Sequence, residues 1–334
     1  MISTSVNQRM KKLNSDPSKK PCVSLVAPMY NEESVLGLFF EAIDSTLKDA
    51  QADYEIVCVN DGSIDNTISI LKEHAERNPR IKIVDLSRNY GKEPALSAGL
   101  DYATGDAVIP IDCDLQDPPE VILEMIEKWQ EGHHVVLAKR IDRSSDSALK
   151  RWTSKLFYVL IDKLSDIRIP ANVGDFRLLD RVALDAVRTY GERSRFMKGI
   201  FASLGFKEAT VEYTRPPRAA GETKWNYLKL YKLAIEGIIS FTSLPLKIWS
   251  YIGAIVALSA FFYGVYIIVW TVAFGKDSPG YASLMVVLLF MTGLILLCLG
   301  VIGEYLSRIY VEVKSRPLYI VMETIGFEVP SNEP

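Results

Sequence analysis

Two stretches near the C-terminus carry no charged side chain: residues 248–275, IWSYIGAIVALSAFFYGVYIIVWTVAFG, and residues 278–303. A bilayer's hydrocarbon core of about 30 Å is crossed by about 20 apolar residues in a helix, so each stretch is long enough to span it. Core helices of soluble proteins normally keep a polar stripe over such a length. The connection KDSPG, residues 276–280, is a tight turn, which makes the pair a helical hairpin. Lys229, Lys232 and Lys247 precede the first span and Arg308, Lys314 and Arg316 follow the second, with only Lys276 between them. The positive-inside rule then places both outer flanks, both termini and the preceding domain on the cytoplasmic side of the inner (plasma) membrane. Just before the hairpin, Leu228, Tyr231, Ile235 and Ile238 recur at helical spacing, with Trp225 and Tyr227 at one end. This predicts an amphipathic helix in the interface over residues 223–247.

Ahead of these segments charges are dense, and the 334-residue chain has room for one large domain or two ordinary ones. A net charge of -3 argues against a general nucleic-acid binder. The four cysteines, Cys22, Cys58, Cys113 and Cys298, show no CxxC spacing, which fits reduced thiols better than a disulfide frame or zinc site. Residues 1–20 are polar and basic without an apolar core, which predicts a disordered lead-in and no signal peptide.

From residue 21 to 222 short β-branched runs alternate with amphipathic segments. VSLVAP (23–28), YEIVCVND (54–61), IKIVDLS (81–87), AVIPID (107–112) and HVVLAK (134–139) read as strands, with helices near 34–48, 65–77, 92–103 and 119–130. That rhythm predicts an α/β fold, a mostly parallel sheet flanked by helices. Ligands of such sheets gather at the carboxyl ends of the strands. Polar groups cluster at those ends: Pro28-Met29-Tyr30-Asn31-Glu32, Asp61-Gly62-Ser63, Arg88-Asn89 and Asp112-Cys113-Asp114. Taken singly, Asn31 or Asp65 could cap the following helix. Asp117, followed by Pro118-Pro119, reads as the cap of the next helix.

VAPMYNEE, VNDGSIDNT and IDCDLQDPPE, in this order and spacing, resemble family 2 glycosyltransferases with the GT-A nucleotide-diphospho-sugar transferase fold. GDFRLLDR (174–181), RAAGETKW (218–225) and the terminal hairpin narrow the resemblance. They are similar to polyprenyl-phosphate glycosyltransferases of the bactoprenol glucosyltransferase type, with dolichyl-phosphate mannose synthases more distant. The match covers roughly residues 21–310, and Cys113 stands where the family more usually has Ala. The implied organisation is a catalytic domain over 21–222, the juxtamembrane segment 223–247, spans at 248–275 and 278–303, and a cytosolic tail at 304–334.

The resemblance implies roles. A divalent cation, Mg2+ or Mn2+, neutralises the leaving nucleoside diphosphate, and such hard cations need only one or two carboxylates beside phosphate and water oxygens. Asp114 is the expected direct ligand, with Asp112 reaching sugar, ribose or the metal through water. Pro28, Tyr30, Glu32, Asp61, Asp112, Cys113 and Gln116 are expected around the nucleotide-sugar. Asp175 occupies the position of the family's proposed base, but a phosphate monoester is largely ionised at neutral pH and needs no base. Asp175 is therefore expected to orient the acceptor or stabilise developing positive charge. Arg140, Arg218 and Lys224 are suited to the diphosphate and the acceptor phosphate.

The implied function is inverting transfer of a hexose, glucose from UDP-glucose, onto undecaprenyl (polyprenyl) phosphate. GDP-mannose, UDP-galactose or another donor is the alternative within the class, and a non-catalytic membrane scaffold is the alternative outside it. A processive synthase is disfavoured because the QxxRW acceptor motif is missing. Implied partners are the donor, the lipid phosphate, the bilayer, and a flippase and downstream transferase of the same pathway. Gly293, Gly300 and Gly303 in the second span would permit the close helix contacts of a homo-oligomer.

Overall fold

A computed structural model describes residues 20–48, 50–141, 170, 172–193, 195, 197–214, 216, 244–275 and 280–327. The predicted disordered segment up to residue 19, the body of the interface helix, the 276–279 turn, Arg218 and Lys224 lie outside the described residues.

The chain runs β1 (Cys22–Met29), α1 (Leu36–Leu47), β2 (Asp53–Asn60), α2 (Thr67–Arg77), β3 (Ile81–Leu86), α3 (Lys92–Tyr102), β4 (Ala107–Pro110), α4 (Val121–Gln130) and β5 (Val135–Arg140). After residue 170 follow β6 (Val173–Asp180), α5 (Arg181–Thr189), α6 (Met197–Ser203) and β7 (Glu208–Tyr213). Two long helices, α7 (Leu244–Phe274) and α8 (Tyr281–Lys314), precede a last strand, β8 (Val321–Ile325). The predicted strands and helices of the first half all form.

The strands make one eight-stranded sheet in the order β7-β5-β6-β4-β1-β2-β3-β8. Its centre, β4-β1-β2-β3, is parallel. Both faces are covered, so the central strands read as nearly unbroken apolar runs. On one face Leu25, Ile56, Ile83 and Ile109 pack against Phe39, Ile43 and Leu71 of α1 and α2 and Ile122 of α4. On the other, Val26, Val57, Val84 and Val108 meet Leu96 of α3 and Leu184 of α5. Gly99 lets α3 lie close: a Cβ there would fall 2.2 Å from Val26 Cγ1.

Two features were not anticipated. β6 runs antiparallel to both neighbours, β4 and β5. The segment expected to be a tail returns to the sheet, where β8 pairs antiparallel with the outer edge of β3. Tyr319 Oη donates to Asp101 at 2.8 Å, Lys72 pairs with Glu323 at 2.6 Å, and Phe327 sits edge-on to Tyr102 with centroids 5.3 Å apart.

The long helices expose apolar side chains along their length, among them Phe262, Ile268, Val272, Leu289 and Leu296. Their candidate spans, Tyr251–Phe274 and Leu284–Lys314, have mean hydropathies of 2.3 and 2.9, with none of the defining windows buried in protein. Such a surface is built for lipid. At about 1.5 Å per residue the 34-residue α8 is about 51 Å long, more than a bilayer core requires. Its surplus end carries Glu304, Arg308, Glu312 and Lys314, and Glu312 accepts the Arg193 backbone N–H at 2.8 Å. The helix thus reaches the sheet domain directly. Gly293, Gly300 and Gly303 have nothing within 4 Å of an added Cβ, so they are not spent on packing among the described residues.

Candidate active site

The carboxyl edge of the parallel strands collects the polar groups, and two of its loops are zipped together. Asn31, with φ at 53°, donates its N–H to Ser63 Oγ, while its side-chain oxygen accepts from Ile64 N–H at 2.9 Å. Glu32 N–H donates to Thr67 Oγ1 at 2.9 Å, and Glu33 accepts from the Asn66 backbone and side chain. Asn31 therefore braces the neighbouring loop instead of capping α1, and Asp65, which accepts the Thr67 N–H at 3.0 Å, sits one residue before Asn66, the N-cap position of α2.

Asp61, at the end of β2, is 3% exposed, and its carboxylate accepts from Tyr90 N–H at 2.7 Å and Gly91 N–H at 2.9 Å. Burial pushes this carboxyl up, against the pull of those two donors and of Arg88. Its observed bonds hold the loop that starts α3. Gly62 completes the junction: its φ is +63°, and a Cβ would lie 2.4 Å from the Arg88 carbonyl carbon.

The acidic loop follows β4. Asp112 and Asp114 are both partly exposed, and Asp114 Oδ1 accepts from Gln116 N–H at 3.1 Å across Leu115, whose φ of 56° is uncommon for a branched side chain. Cys113 between them is buried. Burial first, then the charges of Glu32, Asp112 and Asp114, push its thiol far up, so it stays a neutral thiol. Asp117 differs from its predicted role: α4 starts at Val121, and buried Asp117 instead accepts the Tyr213 hydroxyl at 2.9 Å. The turn around Pro118-Pro119 sets the helix back, leaving Asp117 to tie the loop to β7.

Asp175 reaches this edge because β6 is antiparallel to β4. Ala107 pairs with Asp180 and Val108 with Leu179, and continuing that register outward brings position 112 opposite position 175. Lys92, at the first position of α3, closes the arrangement. Its ammonium lies 2.7 Å and 2.8 Å from the two Asp112 oxygens and 3.3 Å from Asp175 Oδ2. Asp175 Oδ1 is buried without a hydrogen-bond partner among the described residues. Burial would raise Asp175, but Lys92, Lys198 and Arg177 outweigh it and hold the carboxyl below its ordinary range.

Glu93, next along α3, accepts the Met197 N–H at 3.3 Å. Burial, and then the Asp175 charge, push it up to about 7. The folded chain thus keeps this proton to about pH 7, while an unfolded glutamate releases it near 4.5. As pH rises through that window wild type loses stability that a neutral side chain would not lose. Glu93→Gln should therefore melt higher than wild type at pH 8, with the gap closing by pH 5. A gap equal at both pH values in thermal unfolding would disprove the assignment.

Pro28 and Tyr30 flank the end of β1, the strand beside β4 and its acidic loop, and Gln116 follows Asp114 in that loop. Arg140 ends β5, its N–H bonded to Asn172 O at 3.1 Å, one strand beyond Asp175. Lys92 and Glu93 escaped the sequence reading. A signal was present: a lysine opening a helix opposes the positive end of the helix dipole and needs another reason to be there. No set of three histidine, cysteine or acidic side chains converges among the described residues, so protein ligands alone make no metal cage. Two adjacent carboxylates do suit Mg2+ or Mn2+, which fill their other positions with phosphate and water oxygens.

Residues 24–188 match the family model "Glycosyl transferase family 2", and residues 244–309 match "GtrB C-terminal hairpin". An uncharacterized glycosyltransferase of Synechocystis is 52% identical over 92% of this chain and 96% of its own length. A prophage bactoprenol glucosyl transferase homolog of Escherichia coli is 50% identical over 90% and 98%. The bactoprenol glucosyl transferase of Shigella phage SfII is 49% identical over 90% and 98%. Among solved structures, a mannosyl-3-phosphoglycerate synthase from Rubrobacter xylanophilus aligns with a TM-score of 0.43 at 17% identity, over 69% of this chain and 73% of that one.

Proposed function

The chain belongs to glycosyltransferase family 2, with a GT-A domain ahead of a two-helix hairpin, and on that premise we propose that it moves a hexose from a nucleotide donor onto a polyprenyl phosphate. Glucose from UDP-glucose is the favoured donor and undecaprenyl phosphate the favoured acceptor. The observation that carries this reading is the union, in one chain, of an acidic sheet edge with a lipid-adapted hairpin. A polyprenyl tail stays in the bilayer, so the catalytic edge must be held at the headgroup plane, and the hairpin supplies that proximity. The cationic flanks support a cytoplasmic-facing domain on the inner membrane.

The acceptor arrives as an anion, so its oxygen attacks without surrendering a proton. Its oxygen forms the new bond to the sugar's anomeric carbon as the bond to the diphosphate breaks, and the diphosphate leaves with the electron pair. Direct displacement inverts the anomeric centre. Asp175, held ionised, orients the acceptor side and offers negative charge where the sugar ring becomes positive. Asp114, with Asp112, would hold Mg2+ or Mn2+, which neutralises the leaving diphosphate. Arg140, Arg218 and Lys224 are assigned to the phosphates. Pro28, Tyr30, Glu32, Asp61, Asp112, Cys113 and Gln116 are assigned to the nucleotide-sugar side. A homo-oligomer, a flippase and a downstream transferase complete the reading.

A donor screen tests it. The full-length protein in membranes is given UDP-glucose, UDP-galactose or GDP-mannose with undecaprenyl phosphate, with and without Mn2+. Nucleotide release and a lipid-phosphate sugar are expected with UDP-glucose. Release with no donor would favour the scaffold.

A further inference from the structure

Among the described residues, Lys92 is the cation that touches both Asp112 and Asp175, and its pairing with Asp112 is not explained by fold stability. The side chains of Lys92 and Asp112 are 44% and 35% exposed, and ion pairs this open add little to folding. Its place at the start of α3 is opposed by the helix dipole. That place is nonetheless fixed from below, because Asp61 accepts the N–H groups of Tyr90 and Gly91, and Gly91 turns at φ +98° into the helix. The fold thus delivers a lysine to a position that costs it something.

The geometry gives a reason. One ammonium lies 2.7 Å from Asp112 and 3.3 Å from Asp175, so those oxygens are at most about 6 Å apart and would repel if it left. It also engages both Asp112 oxygens, which a divalent cation held by Asp114 would draw on directly or through water. We propose that Lys92 is a positioning residue that holds Asp175 against the donor-side carboxylates and competes with the divalent cation for Asp112. A cation held by Asp114 and Asp112 would draw the Asp112 carboxylate from Lys92, which keeps its contact with Asp175. The acceptor side is set in place as the donor side fills. This rests on the transfer reaction proposed above, with Asp112 and Asp114 as the cation's ligands.

The two consequences of removing Lys92 have opposite signs. Lys92→Met should bind Mn2+ about two- to fivefold more tightly, measured by Mn2+ electron paramagnetic resonance with UDP present and no acceptor. The same variant should lose about 100-fold in kcat, with the donor KM changed much less. Lys92→Arg should recover most of kcat and melt with wild type, whereas Lys92→Met, which takes this partner from Asp175, should melt somewhat lower yet stay folded at the assay temperature. Weaker or unchanged Mn2+ binding by Lys92→Met, or an unchanged kcat, would overturn the inference. Absence of lipid-linked sugar from wild type, or Mn2+ binding by Asp114→Asn equal to wild type, would instead bring down the parent reading and this inference with it.

Discussion

Asp114→Asn is expected to cut transfer by about a thousandfold or more while leaving the protein folded. The side chain is partly exposed and its Oδ1 accepts the Gln116 backbone N–H, which the amide oxygen of asparagine can also accept. The local turn therefore survives, and what goes is a formal charge at the proposed cation site. A neutral amide oxygen is a weak ligand for a hard divalent cation, so Mn2+ affinity should fall together with turnover. Asp175→Asn separates the two halves of the site. It should also lose turnover heavily yet keep Mn2+ and UDP binding, because Asp175 sits on β6 across Lys92 from the acidic loop. Radiolabelled sugar transfer in membranes and Mn2+ titration of the purified protein read both quantities. Near-normal turnover in Asp114→Asn would remove it from the cation site.

The parallel half of the sheet was legible because its signals are local: apolar runs of strand length, amphipathic stretches between them, and acidic residues where the strands stop. The acidic loop could be placed at the carboxyl edge for the same reason. What was not legible depends on pairing between distant segments. Nothing in GDFRLLDR says that its strand runs antiparallel to AVIP, yet that direction alone brings Asp175 opposite Asp112. Asp117 followed by two prolines looks like a cap, and only the arrival of Tyr213 from β7 shows its buried acceptor role. Asp61 reads as a ligand group because of where it ends β2, and the structure adds a second role. Its backbone partners lie 29 and 30 residues later and make it the support on which Lys92 is mounted. Lys92 and Glu93 were hidden in NYGKEPAL, where a lysine opening a helix is a local misfit that becomes sensible once both aspartates are in view.

Ending the chain after Lys314 should destabilise the catalytic domain severely although the acidic edge is untouched. The truncation removes β8, and with it the antiparallel pairing of Ile83 to Leu86 with Val321 to Ile325. It also removes Tyr319, Val321, Ile325 and Phe327, all partly buried against the two core layers. At about 1 kcal/mol for each partly buried apolar side chain and about 0.5–1.5 for the aromatic pair, the loss is on the order of 5 kcal/mol before any backbone bond is counted. That is comparable with the whole stability of an ordinary domain, and at about 2–4 °C per kcal/mol it lowers Tm by about 10–20 °C. A bared β3 edge would in addition offer unpaired backbone groups to other chains, so aggregation should accompany unfolding. The strand also ties the lipid hairpin to the sheet, since α8 leads into it within a few residues and Glu312 already holds the Arg193 backbone. Thermal unfolding of the detergent-solubilised protein measures the effect. A Tm within a few degrees of wild type would mean that β8 decorates the sheet edge without supporting it, and that the hairpin positions the catalytic domain through α8 alone.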